Sequence, residues 1–251
     1  CSSAPRQAPA IEAIDRHLLI GSRLYQAGQL GEAKAAFRRA ILAAELIDDS
    51  RHLVDALLAS AASELLLGDL ASATASYRRA QQEARQAGLP EAAIQAEIGL
   101  AEAARHDKQT AEAIRRFRQL NEQPALSPGQ RTQIINGLSL SLIAQGDTEM
   151  AASLLLPIEP AANAPASALA AGTLANLARL RLQQGQLAEA ERLAISALQM
   201  DRQLLHPPAI AADHVLLGEV MQRAGRPDEA GRHLETAQRI FRQTGQPQPV
   251  R

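Results

Sequence analysis

The side chains that could do chemistry in this 251-residue chain are few and scattered. Six histidines, His17, His52, His106, His206, His214 and His233, are spread along the sequence; none forms a His-Glu-x-x-His motif, and Cys1 is the only cysteine. A metal centre needs several such ligands at a workable spacing, so no metal is expected. His106 beside Asp107 is the most suggestive neighbour pair, and it reads as a solvated turn. Asp48-Asp49 could act as general acid and base only in a pocket that separates their pKa values. They read instead as caps or solvated surface in a connecting segment. No glycine-rich phosphate loop and no serine-nucleophile elbow occurs. No catalytic residue or cofactor is therefore expected, and the chain does not read as an enzyme.

Composition narrows the classes further. The formal net charge is −1, with 26 Lys and Arg against 27 Asp and Glu. Nucleic-acid binding would need an uncompensated basic cluster, so no nucleic-acid partner is implied. Aromatic residues make up 2% of the chain and tryptophan is absent, which leaves little material for base-stacking platforms or aromatic cages. No apolar run approaches the length of a membrane-spanning helix, about 20 residues. Apolar residues recur instead at intervals of three and four, as in Leu174, Leu177, Ala178 and Leu182, the helical period.

The elements that must position any site announce themselves through one alanine. Ala33, Ala73, Ala113, Ala151, Ala190 and Ala230 recur at intervals of 40, 40, 38, 39 and 40 residues. A bulky residue follows four positions later in five of the six copies: Phe37, Tyr77, Phe117, Leu155 and Leu234. Twelve positions before each alanine stands a small residue: Gly21, Ala61, Ala101, Ser139, Ala178 or Gly218. A fixed period of this length signals stacked units, each a pair of antiparallel helices. Two helices approach closely only where the side chains at their crossing are small, so the alanine and the small residue mark that crossing. Gly28, Gly68, Gly146, Gly185 and Gly225 end the first helices; in the third unit Lys108 takes that place. Asp69, Asp147 and Thr110 are read as caps of second helices, and Pro227 suits a first turn. Pro90, Pro124, Pro128, Pro207 and Pro208 fall between units, but Pro157 lies inside the second helix of unit four. That helix should stop early and leave residues 157–167 irregular, as either a bend between repeats or a tolerated kink.

The order small residue, Gly, Glu-Ala, bulky residue, Ala resembles the tetratricopeptide repeat. The phrase Leu180-Arg181-Leu182-Gln183-Gln184-Gly185-Gln186-Leu187-Ala188-Glu189-Ala190-Glu191, with Leu198 and His206-Pro207 after it, looks like the kinesin-light-chain type. The resemblance implies an all-α, right-handed superhelix of about six helix pairs, in units of approximately 14–50, 51–90, 91–128, 131–166, 170–206 and 209–244 within a solenoid spanning 11–244. It further implies a concave groove, lined by the first helices, that takes peptides or partner proteins. Projection of those helices puts Leu18, Ser22, Tyr25, Leu58, Leu65, Leu66, Ile98, Glu102, Arg105, Asn136, Leu140, Ile143, Arg179, Leu182, Val215, Glu219 and Arg223 on that side. The early members form an apolar strip that suits an amphipathic helix, unless it packs against the protein itself. A Lys/Asn clamp for a terminal carboxylate is missing.

Residues 1–10 read as a flexible tether, opening Cys1-Ser2-Ser3-Ala4-Pro5, and 245–251 as a flexible tail. The opening resembles the mature end of a bacterial lipoprotein, which implies lipidation of Cys1. Ser2 beside it favours the outer membrane in that family. The expectation is a lipid-anchored, periplasm-facing scaffold that holds envelope proteins in its groove. The alternative is a cytoplasmic regulator that binds a peptide or small ligand.

Overall fold

The computed structural model describes residues 9–161 and 163–247. Those residues form twelve α-helices and no strand: α1 Pro9–Gln26, α2 Leu30–Glu45, α3 Ser50–Leu66, α4 Leu70–Gln86, α5 Pro90–His106, α6 Thr110–Asn121, α7 Pro128–Gln145, α8 Thr148–Leu155, α9 Ala168–Gln183, α10 Leu187–Gln203, α11 Pro207–Arg223 and α12 Pro227–Thr244. The chain divides into two compact units, Cys1–Ala103 and Ala104–Arg251, and the division falls within α5.

Every one of the six recurrent alanines is buried, as the crossing argument requires. At Gly21 a Cβ would lie 2.5 Å from Cε1 of Phe37, and at Gly218 it would lie 2.8 Å from Leu234. The bulky residue four positions after the alanine thus fills the space its partner helix leaves empty. Tyr77 uses the same device on the following helix, where its ring rests against Gly99.

In the first unit α1 packs on α2, α2 on α3 and α3 on α4. The core around Ile14, Ala40, Ala44, Leu53 and Leu57 is dense with alanine, which keeps helices close. Polar ties cross the helix pairs. Buried Glu64 accepts from Ser76 at 2.9 Å and pairs with Lys34 at 3.5 Å, and Lys34 also reaches Asp69 at 3.0 Å. Gln81 on α4 donates to Glu97 on α5 at 2.8 Å. In the second unit α7 lies against α6, α8 and α9, α10 against α9 and α11, and α11 against α12.

Helix ends follow local chemistry. Asp49, Asp69 and Asp147 cap α3, α4 and α8 by accepting from the backbone N–H three residues on. Ser127 and Gln130 form a reciprocal capping box on α7. Thr110 is not the cap expected of it: it is the first residue of α6, and Gln109 before it makes no side-chain cap. The first helix takes in Pro9 and Ala10, so the segment read as a tether gives up its last two residues to α1. Proline fits there because the first helical N–H has no partner to lose. The second helix of the fourth pair stops at Leu155, and a 3-10 turn, Leu156–Ile158, holds Pro157. No helix occurs among the described residues of 159–167.

Candidate functional site

Within the first unit, the residues expected on the groove side divide by burial. Leu18 and Leu58 are half-buried and pack against the cluster of Ile14, Ala40 and Leu53, while Leu58 and Leu65 also back onto Ala61, Ala73 and Tyr77. Ser22 is exposed; Tyr25, Leu66 and Glu102 are half-buried. Burial raises the pKa of the Tyr25 hydroxyl. Ile98 does not face a groove at all, being 0% exposed. It sits beside Gly99, where the missing Cβ lets the Tyr77 ring close against α5.

In the second unit the helices α7, α9 and α11 carry the remaining positions. Leu182 is only 6% exposed and Ile143 is also buried, so both belong to the core rather than to an open face. The cause for Leu182 is position: α9 is flanked by α7 on one side and α11 on the other. Asn136 is half-buried, but its amide is consumed between helices. Its Nδ2 donates to the Leu169 carbonyl at 3.2 Å, its Oδ1 accepts from Thr173 at 3.0 Å, and its own carbonyl accepts from Asn176 at 3.0 Å. Gln183 adds a further bond to the Ile143 carbonyl at 3.0 Å. Leu140, Arg105 and Val215 are half-buried, and Glu219 and Arg223 are exposed.

Arg179 on α9 stands apart from this satisfied network. The residue is half-buried, yet no hydrogen bond or ion pair joins its guanidinium to another described residue. Burial pulls its pKa below the ordinary arginine value, Glu219 and Asp213 stand close enough to favour the charge, and Arg105 opposes it. Asp213 is itself paired with a second carboxyl group, Asp201. Asp213 is 3% exposed and Asp201 is buried as well. Burial raises both pKa values, and the charge of Asp201 together with a hydrogen bond to it raises Asp213 further. No N–H or hydroxyl donor reaches Oδ2 of Asp213. Both shifts disfavour ionisation, because two buried like charges close together oppose one another, so the pair carries less than its full charge. The result is a cation without a contact partner, near an acid pair of reduced charge.

A second polar pair lies between α11 and α12, where Nδ1 of His214 and Nδ1 of His233 are 2.9 Å apart. Neither it nor the acid pair was expected. Asp213 did leave a signal, since it occupies the register of Ala56, Ala96, Ile134 and Thr173 in the second to fifth units. A carboxyl where the repeat demands a small or apolar residue marks a departure from packing. No group of three or more His, Cys, Asp or Glu side chains suited to a metal occurs among the described residues. No helix of the described residues is long and apolar enough to cross a membrane. Cys1 lies outside the described residues.

Known structures repeat this architecture. The Rap conjugation gene regulator of the plasmid pLS20, in complex with the Phr* peptide, is 17% identical with a TM-score of 0.74 over 96% of this chain; the present chain spans 65% of that protein's length. Nearly identical TPR-like repeats of a kinesin light chain from Podosopora anserina are 20% identical, with a TM-score of 0.50 over 78% of this chain and 96% of that one. The pilF protein of Pseudomonas aeruginosa is 16% identical, with a TM-score of 0.51 over 94% of this chain and 95% of that one. At these identities the likeness is one of fold. No curated protein matches the sequence. Residues 168–243, which span nearly all of α9 to α12, match the tetratricopeptide repeat family, and the same alanine-centred crossing recurs in the helix pairs before them.

Proposed function

We propose that this chain is an interaction scaffold whose second unit binds a peptide segment of a partner, anchored by Arg179. The observation that carries the reading is the state of that guanidinium. It offers five N–H donors in a fixed fork, and burying it without an acceptor is unfavourable. A carboxylate or a pair of backbone carbonyls from a bound segment would supply the acceptors, with charge-assisted bonds stronger than neutral ones. The raised pKa values of Asp201 and Asp213 weaken the negative charge near the cation, so it is not fully neutralised from within. The peptide complex of the pLS20 regulator supports a peptide as the class of ligand, through likeness of fold.

Selection of a displayed random-peptide library on the whole chain tests this reading. Peptides sharing a common sequence with an acidic residue should be enriched, and each should bind Arg179→Ala at least tenfold more weakly while the variant melts as the parent does. Equal binding by the variant, or no enrichment, ends the reading.

A finer setting belongs to the same proposal. In it Cys1 bears lipid, the protein lies on the periplasmic side of the outer membrane, and the segment comes from an envelope protein. The spelling of residues 1–10 supports it. Mass spectrometry of the protein from its own cells should find acyl chains on Cys1; an unmodified cysteine, or residues before it, would favour a cytoplasmic regulator that binds a peptide or small ligand.

A further inference from the structure

The first helix carries a face that every later first helix buries. Arg16, Ile20 and Arg23 of α1 correspond in register to Ala56, Ser60 and Ser63 of α3, and to Asp213, Leu217 and Val220 of α11. In each of the five later first helices all three of these positions are buried. The fourth position, Leu19, has buried counterparts in Gly99, Gly137, Asn176 and Leu216. In α1 all four are exposed, Leu19 at 52% and Ile20 at 42%.

The four form one stripe at i, i+3, i+4 and i+7, which is the spacing of a helix that packs on another helix. Two apolar side chains occupy the middle, and an arginine stands one turn to either side. Neither arginine's side chain has a hydrogen bond or ion pair among the described residues. The last helix is built differently, with Arg232, Glu235, Arg239 and Arg242 of both signs on its exposed surface.

We propose that the Arg16-Leu19-Ile20-Arg23 face of α1 docks an acidic amphipathic helix of a partner protein. Charge selects this occupant. A second copy of the chain laid antiparallel on the same stripe sets Arg16 against Arg23 and repels. A partner helix with two acidic residues seven positions apart around a pair of leucines meets both arginines, which stand about 10 Å apart at 1.5 Å per residue, and covers both apolar side chains. This site does not depend on Arg179.

A synthetic 20-residue helix bearing Glu-x-x-Leu-Leu-x-x-Glu, and a twin with lysine in place of both glutamates, are titrated against the whole chain by fluorescence anisotropy. The acidic helix should bind at least tenfold more tightly than the lysine twin. Arg16→Glu with Arg23→Glu should reverse that order, and Arg179→Ala should leave it unchanged. Equal binding of the two helices, or a preference that survives the double reversal, overturns the proposal. So does a chain that is dimeric by light scattering and becomes monomeric on Ile20→Asp, which would assign the face to a second copy.

Discussion

His214 and His233 face each other through like atoms, Nδ1 to Nδ1 at 2.9 Å, so one ring must donate and the other accept. A second proton has no place in that contact. Burial, and then the charge of His233, lower the pKa of His214 from 6.5 to about 4, and burial lowers that of His233 as well. In the unfolded chain both rings take protons near 6.5, whereas the folded chain resists until about 4. The stability that depends on this pair is thus fully present above pH 6.5 and is lost as the pH falls from there toward 4. Acidification across that window should destabilise the chain by roughly 1 to 3 kcal/mol through this pair. His214→Gln should flatten that part of the profile in denaturant titrations, and an unchanged slope would show the contact does not hold.

His52 predicts the opposite pH dependence. Burial disfavours its charge, but Asp49 at 2.7 Å and Asp15 at 3.2 Å outweigh burial and raise its pKa. Its contribution is complete below the unfolded value near 6.5 and disappears as the pH rises through the folded value. Asp15→Asn should therefore lower stability by about 0.5 to 1 kcal/mol at pH 5.5 and by almost nothing at pH 8.5. Equal losses at both values would mean the link between α1 and α3 is not ionic.

Gly21→Ala should destabilise the first helix pair by about 1 to 3 kcal/mol, since the added carbon would meet Phe37 at 2.5 Å. Gly31→Ala is the control, with nothing within 4 Å of its added carbon; it should be neutral or stabilise by up to about 1 kcal/mol. Melting temperatures of the two variants decide whether the crossing is as tight as described.

Lys108 has a φ of 59°, in the left-handed region, at the turn where five other units place glycine. A side chain there carries a penalty of roughly 1 to 2 kcal/mol that glycine avoids, partly offset by the greater freedom of glycine when unfolded. Lys108→Gly should stabilise by about 0.5 to 1 kcal/mol, measured by chemical denaturation. Leu205, at 51°, should respond in the same direction.

The crossings were readable in the sequence because their constraint is steric and local. Gly21 and Ala33 have to be small whatever lies beyond them, and the requirement returns with every unit. Asp69 and Asp147 were readable as caps for the same reason, being bound to a backbone group three residues away. Thr110 misled because Gln109 and Thr110 compete for one position, and hydroxyl chemistry alone does not place the helix start. Ile98 and Leu182 misled because a projected helix face says nothing of how deeply its neighbours cover it. The pairing of Asp201 with Asp213 was out of reach, since it depends on two different helices meeting at one depth.

The early end of α8 opens a practical use. Between Ile158 and Ala168 the described backbone belongs to no helix, and Pro165 is exposed, while Ala151 and Leu155 upstream and Ala171 downstream are sealed in their own packing. Foreign sequence threaded in after Pro165 would lengthen a connection without entering either neighbour's interior, and lengthening loops is thermodynamically inexpensive. That spot is where a fluorophore or affinity handle can be mounted to follow ligand capture from outside.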